Sequence, residues 1–449
     1  MKEVPPRIGL FTHRSEGDSV TTIVIELNVD FAGKTFAQVE AGVMVELRRR
    51  VGPVLQVELN SLVAAVGRPP CPHCQGERRQ RGTERRRVTG LFGTVEIVRP
   101  RVECVPCATS SYPADHRLGL EGGERYSLGV AEAALWLATD VSYAKSSATV
   151  GQVLDIGISH GQIHRLAQRE GRLVADAWAG LRQRVFGDGD RGVLADLERD
   201  VAAPALAVIQ ADGTFVHDRG EKLRMEAKGG IVYTGVATVS RGRRRLLGKR
   251  TYGSLDDMAA FGETLVLTAA RAGAFKAKEL WFISDGSAAL RHLRREHFPT
   301  AIPFLDVWHL EKRIAEALGE ERAQQSLGPL MTMALAGQVD QLITALAEHW
   351  AKETEDDIRH QLLADLIEYV DANRDGIASY ARRGAQASSP IEKVMDVVIG
   401  RRLKAKGTSW HRPGADRILH LRVLKENKSW DRYWAARRSR TSLIAALAA

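Results

Sequence analysis

All four cysteines of this 449-residue chain fall into two Cys-x-x-Cys pairs, Cys71-Pro-His-Cys74 and Cys104-Val-Pro-Cys107. Thiolates two positions apart on a tight turn can share one tetrahedral ion, and two such pairs close its shell. Whatever lies between the pairs must therefore leave one point and return to it. The intervening RRRVTGLFGTVEIVRPRVE does so with the alternation of a β-hairpin. A closed four-thiolate shell has no position for water, so the expected zinc on Cys71, Cys74, Cys104 and Cys107 is structural. His73, inside the first knuckle, is a surplus ligand.

The chain carries 64 Lys+Arg against 55 Asp+Glu, a formal charge of +9, which suits a polyanionic partner without naming it. Its distribution says more. Arg78, Arg79, Arg81, Arg85, Arg86 and Arg87 form one cluster; Arg241, Arg243, Arg244, Arg245, Lys249 and Arg250 a second; Arg401, Arg402, Lys404, Lys406 and Arg412 a third. A charge run is first of all a solvated face. Three runs, each beside a separate motif, favour phosphate contacts, with Arg85, Arg86 and Arg87 reaching DNA from the ribbon. No apolar stretch has the ~18 residues of a membrane span, and MKEVPPRIGLFTHRSEGD lacks the apolar core of a secretory signal. The expectation is a soluble, cytoplasmic chain with no membrane partner, where disulfides are disfavoured.

Between about Glu124 and Arg182 the pattern is helical. SYAKSSATVGQVLDIGISHGQIHRLAQREGR reads as a helix, a turn at Gly157 and a second helix capped by Ser159, a helix-turn-helix. His160, Gln162, Arg165 and Gln168 would line its exposed face and reach bases or phosphates; an ordinary packed helical pair reads the same way.

From about Ala205 the periodicity becomes extended. ALAVIQADGTFVH, GGIVYTGVATVS and RRLLGKRTYG read as three strands, the last two joined by a hairpin turn at SRGRR; helix and strand then alternate through KELWFISD and AIPFLDVWHL. Three hairpin strands followed by that alternation, with acids ending strands one and four, is the order of an RNase H-like domain. Asp212 and Asp285 each follow an apolar run and precede glycine, a setting that also suits plain turn capping. Two hard cations roughly 4 Å apart need one bridging carboxylate and others on either side, which assigns Asp212 the bridge and Asp285 one flank. The other flank falls to Glu392 or to Glu320 or Glu321. Ser389-Pro390-Ile391-Glu392 has the form of a capping box, which by itself would explain Glu392. His309 would position a phosphate or protonate a leaving oxygen, with Asp306 orienting it. Trp410 either stacks on an unpaired base or packs under the helix.

These motifs together resemble a bacterial insertion-sequence transposase of the DDE type, in the mutator-like branch of the RNase H-like superfamily. The resemblance rests on CPHC with LFGTVEIVRPRVECVPC, QADGTFVH, FISDGSAALRHL, FLDVWHLEK and SSPIEKVMDVVIGRRLKAKGTSWHRPGADRILHLR. It implies a distal catalytic Glu in the Ile-Glu, basic-helix, Gly-x-x-Trp context, hence Glu392, and a helical insertion before it. The expected architecture is α/β multidomain: 1–67 an N-terminal helical region, 68–120 a zinc ribbon, 121–200 a helix-turn-helix domain, 201–319 the first part of an RNase H-like core, 320–387 a helical insertion, 388–449 the C-terminal helical part. The expected activity is Mg²⁺-dependent cleavage and strand transfer, with Mn²⁺ a substitute, on double-stranded DNA at transposon ends and target, by a homo-oligomer. Arg401, Arg402 and Lys404 on the last basic helix join Gln162 and Arg165 as expected DNA contacts. A transposase-derived regulator without catalysis and an RNase H-like nuclease are the rival readings.

Overall fold

The computed structural model describes residues 25–120, 123–220, 224–353 and 356–448 of a mixed α/β protein; the N-terminal segment read against a secretory signal lies outside them. Two compact units divide the chain, residues 1–135 with 143–163 and residues 136–142 with 164–449. Among the described residues no helix is long and apolar enough to cross a membrane.

In the first unit, α1 (Phe36–Ala64) is a 29-residue helix opened by a Thr35–Gln38 capping box and continuous through Pro53. The expected hairpin follows as β1 (Arg78–Gly90) and β2 (Gly93–Cys104), antiparallel from Arg78↔Cys104 to Gly90↔Gly93, with β3 (Ser110–Ser111) beside the end of β2. Helix α1 is bound to this hairpin. Gln56 and Asn60, one helical turn apart, accept the N–H groups of Glu96 and Val98 at 2.8 Å each, satisfying donors that would otherwise stay open along β2. Val63 of α1 joins Val88, Val95 and Ile97 of the hairpin and Ala114 of α2 (Pro113–Leu118) in one apolar cluster. α3 (Leu128–Ala138), α4 (Tyr143–Leu154) and α5 (His160–Arg182) account for the helical stretch. Between α4 and α5, Asp155 adopts φ 53° and Ile156 and Ile158 are buried, while Ser159 Oγ accepts the Gln162 N–H at 3.3 Å as the capping pattern anticipated.

The second unit, after α6 (Gly192–Glu198), is built on a five-stranded sheet. Its strands are β4 (Leu206–His217), β5 (Arg224–Tyr233), β8 (Arg250–Ser254), β9 (Glu279–Ser284) and β10 (Ile302–Leu305), in the order β10-β9-β4-β5-β8. Only β5 runs against the other four: it is antiparallel to both β4 and β8, while β9 runs parallel to β4 and β10 parallel to β9. GGIVYTGVATVS and RRLLGKRTYG are not single strands: the chain leaves the sheet at Thr234, forms a separate two-stranded ribbon of β6 (Gly235–Ser240) and β7 (Arg243–Leu247), and re-enters as β8. The turn at SRGRR closes that ribbon and not the sheet.

β4 is apolar on both faces from Ala207 to Ile209 because both are covered. α7 (Met258–Arg271), capped by Asp257, lies on one side, and α8 (Ala288–His297) and α9 (Val307–Leu318) complete the alternation of helix and strand. Gly229 and Gly230 of β5 let helices close in from opposite faces: a Cβ on Gly230 would meet Leu265 of α7 at 2.6 Å, and one on Gly229 would collide with the Met395 sulfur. A helical stretch follows as α10 (Glu320–Leu335), α11 (Val339–Lys352), α12 (Asp357–Ala372), α13 (Arg374–Ala378) and α14 (Tyr380–Arg383). α15 (Ser389–Val394) runs into a π-helical turn at Met395–Gly400 and α16 (Arg401–Leu403); α17 (Arg412–Glu426) and α18 (Trp430–Ser439) close the layer.

Candidate active site

Sheet register directs the acids. Asp212 pairs with Gly229 across β4 and β5, so both side positions point to one face, and over that face Met395 is packed. Glu392 lies three residues before Met395 on the same run of helix, hence on the same helical face, and its charge reaches Asp212. β9 continues in parallel register with β4 through Gln210↔Ile283, which brings Asp285 level with Asp212 just past the strand end. Backbone contacts fix the approach of Glu392: the Ile391 N–H donates to Gln210 Oε1 at 3.0 Å, and the Ser388 N–H donates to Asp306 Oδ2.

The three carboxylates and His309 act on one another electrostatically. Burial pushes the Asp212 carboxyl above its ordinary range; the Gly213 N–H opposes this, the charges of Asp285 and Glu392 add to it, and His309 draws it back down. Asp285 Oδ1 accepts the Ser287 N–H at 2.9 Å, so turn capping is real for Asp285. Asp212 does not end its strand: Oδ1 accepts the Gly213 N–H at 2.7 Å inside β4, which stays paired with β5 to His217. Each contact uses one carboxylate oxygen. Among the described residues, Glu392 makes no ion pair or hydrogen bond through its carboxylate, and it is exposed. The capping box expected for it does not form. Ser388 and not Ser389 is the N-cap, Pro390 falls one position later than expected, and no side chain caps the helix. Capping therefore does not explain Glu392. Glu320 and Glu321 start α10, beyond the whole of α9, which carries the chain about 18 Å from Asp306 at ~1.5 Å per residue.

Asp306 is fully buried and caps α9, accepting the His309 N–H at 2.9 Å. Burial alone would raise its carboxyl, but hydrogen bonds from His309 and Ser388 hold it at about 2. His309 Nδ1 lies 3.4 Å from Asp306 Oδ1, an ion-pair separation rather than good hydrogen-bond geometry. The Asp306 carboxylate raises the His309 pKa, burial opposes it, and the charges of Asp285 and Asp212 add to the rise. The imidazole thus lies within reach of the charges of Asp285 and Asp212 and beside Asp306, all of which favour its protonated form.

The four thiols meet at the open end of the β1–β2 hairpin. Their sulfur atoms all lie within 4.8 Å of one another, with Cys71 to Cys107 at 3.7 Å and Cys74 to Cys104 at 3.4 Å. A tetrahedron with Zn–S bonds of about 2.3 Å has edges of about 3.8 Å, so these dimensions suit one such ion. Gln75 and Ala108, each directly after a knuckle, take φ 58° and 53°, closing the two tight turns alike. The Thr109 hydroxyl and N–H pull the Cys107 thiol down to about 6, toward the thiolate a metal needs.

The basic residues divide. Arg85 and Arg87 are exposed, but Arg86 is buried and committed to Asp115 at 2.8 Å and to the carbonyls of Leu120 and Glu124 at 2.6 Å each. It does not reach a phosphate. Arg402 is likewise buried, donating to the Ala138 carbonyl at 2.9 Å and lying 4.6 Å over the Trp410 ring. This also decides Trp410: it is buried packing, with Nε1 donating to the Leu403 carbonyl. Arg401 is exposed and paired with Asp396 at 3.0 Å, and Lys404 is exposed and donates to Thr214, two residues beyond Asp212 on the same side of β4. Arg165 is exposed and Gln162 half-buried on α5, whereas Gln168 accepts from Arg417 at 2.8 Å and does not line a free face.

Sequence reasoning missed the residues that hold the acids. Gln210 is fully buried, and its signal was a lone amide inside an apolar strand two positions before Asp212. Tyr369 donates to the Asp285 carbonyl at 2.6 Å and Asn373 to the Gly286 carbonyl at 3.1 Å, so α12 braces the loop after β9. Nothing in their local sequence announces this.

A family model described as "Uncharacterised protein family (UPF0236)" matches residues 77–436. A "UPF0236 protein in vanSb 3'region" from Streptococcus gallolyticus is 23% identical over 363 residues, covering 78% of this chain and 75% of that protein. The span matched by the family model contains Asp212, Asp285, His309 and Glu392 and begins after the first cysteine pair.

Proposed function

The chain belongs to UPF0236, an uncharacterised protein family, and from its own side chains we propose that it is a DNA transposase of the DDE type. It cuts DNA at the ends of its element and joins the freed 3′-hydroxyl to a target. In this reading the five-stranded sheet and its helices are an RNase H-like catalytic domain, α10–α14 a helical insertion, the thiol-stapled hairpin a zinc ribbon, and α4 with α5 a helix-turn-helix.

The observation that carries the reading is Asp212, half-buried and within electrostatic reach of Asp285, Glu392 and His309. Like charges gathered without a counter-cation are costly, and an all-carboxylate donor set suits hard cations. Two Mg²⁺ ions, or Mn²⁺ in their place, would polarise the phosphodiester and activate the attacking oxygen. Asp212, Asp285 and Glu392 would be the residues to hold them. His309, whose protonated form Asp306 favours, would be the group to give the departing oxygen a proton. Arg401 and Lys404 on the neighbouring segment are set to take the flanking phosphates. Joining two DNA ends calls for at least two copies of the chain.

The test uses the purified chain, Mg²⁺ and a duplex carrying its element's termini. Nicked and strand-joined products are expected, and Asp285→Asn should lower both by about 10³-fold, roughly 4 kcal/mol of transition-state stabilisation, with duplex affinity kept. Products that persist in Asp285→Asn, or that never depend on metal, overturn the reading.

A further inference from the structure

The β6–β7 ribbon stands apart from the packing that surrounds it. None of its residues is buried, and Val236, Val239 and Leu247 are about half exposed, at 50%, 57% and 44%. A lone two-stranded hairpin is marginal in water, so such an element calls for a partner. Its charge says which kind. Arg241, Arg243, Arg244 and Arg245 are all exposed, no acid occurs between Thr234 and Lys249, and among the described residues none of these four arginines has an ion-paired carboxylate. Across the ribbon, Arg243, Arg244 and Arg245 are paired with Ser240, Thr238 and Ala237, residues too small to cover a guanidinium. Successive arginines point to opposite faces, so both faces are cationic.

We propose that this ribbon is an arm that grips duplex DNA, holding phosphates and lying in a groove away from the acid cluster. A two-stranded β-ribbon fits the major groove. A second copy of the chain is a poorer occupant, because ribbon against ribbon would set arginine against arginine. The position follows from register. The ribbon continues β5, whose Gly229 faces Asp212, and Ser240 lies eleven residues further along that path, a reach of at most about 36 Å at ~3.3 Å per residue. This is about one turn of B-DNA. The arm therefore meets the duplex up to a turn from the phosphate that the acids would cut. The inference rests on the DNA-binding half of the proposed function and not on cleavage.

The test compares the natural chain with Arg243→Ala/Arg244→Ala/Arg245→Ala on a duplex of arbitrary sequence, about 40 base pairs long, across a salt series. Each phosphate left without its arginine lowers the slope of log affinity against log salt by about 0.9, so the triple variant should show a slope shallower by about 2.7. Between about 50 and about 200 mM salt its affinity should then fall about 40-fold less than that of the natural chain. The variant should fold normally, since all three arginine side chains are exposed and lie opposite small residues. An unchanged slope and affinity overturn the proposal, as does a change in oligomeric state with DNA binding intact. Asp212→Asn should show the same ribbon dependence, so absence of metal-dependent cleavage would sink the catalytic reading and leave this one standing.

Discussion

The Ile391 backbone N–H donates to the Gln210 side chain at 3.0 Å, tying the residue before Glu392 to the strand position two before Asp212. This tether and the Ser388–Asp306 bond hold the start of the Glu392 helix to the sheet that carries Asp212, across more than half of the second unit's sequence. Gln210→Leu keeps the volume and strands the Ile391 donor in a buried site. Urea unfolding should show a loss of about 1–3 kcal/mol, and metal-dependent nicking should fall even where the variant is folded.

The thiol cluster predicts about one zinc per chain by elemental analysis of protein purified without added metal. Cys104→Ser should lower that content and open the base of the hairpin, where β2 ends on Cys104 itself. Limited proteolysis should then cut within residues 71–107. Full zinc content in the variant would remove the ion from these four thiols.

Buried and exposed arginines should behave as different classes. Arg86→Ala leaves Asp115 with Arg99 as its remaining arginine and two carbonyls short of a donor, and should cost about 1–3 kcal/mol in unfolding. Arg85→Ala and Arg87→Ala should barely affect stability and should each lower the salt slope of duplex binding by about 0.9.

What could be read from the sequence was what depends on near neighbours. Apolar runs ending in Asp-Gly gave β4 and β9, paired cysteines gave the hairpin and its staple, and Ser159 gave the start of α5 because its partner N–H is three residues away. Failures came where the deciding partner is remote. Arg86 looked like its neighbours because Asp115 and Glu124 lie in another element. The departure of the ribbon at Thr234 was invisible because β5 and β6 form one β-prone run. The capping box at Ser389 failed because the segment before it is already spoken for: Asp306 takes the Ser388 N–H, and Val307 donates to the Gln386 carbonyl at 3.1 Å.

Glu170 provides a pH test of the second unit. It is fully buried, bonded to Tyr433 at 2.7 Å and to Arg437 at 2.8 Å. Burial pushes its carboxyl up, but the Arg437 hydrogen bond and the charges of Arg169 and Arg437 outweigh it and hold the group below its ordinary 4.5. A depressed folded pKa gives stability that is complete above the unfolded value and is lost as pH falls through the lower folded one. Glu170→Gln should therefore cost about 3 kcal/mol near pH 7, and the gap to the natural chain should narrow as the solution is acidified below the ordinary carboxylate range.

The most direct measurement of the central claim compares Mg²⁺-dependent nicking of end-bearing duplex by Glu392→Gln with that by Glu320→Gln/Glu321→Gln. Convergence of Glu392 with Asp212 and Asp285 predicts that the first variant loses cleavage by about 10³-fold while binding the duplex normally, and that the second cuts like the natural chain. Full cleavage by Glu392→Gln, or its loss only in the Glu320 and Glu321 double variant, would contradict the account.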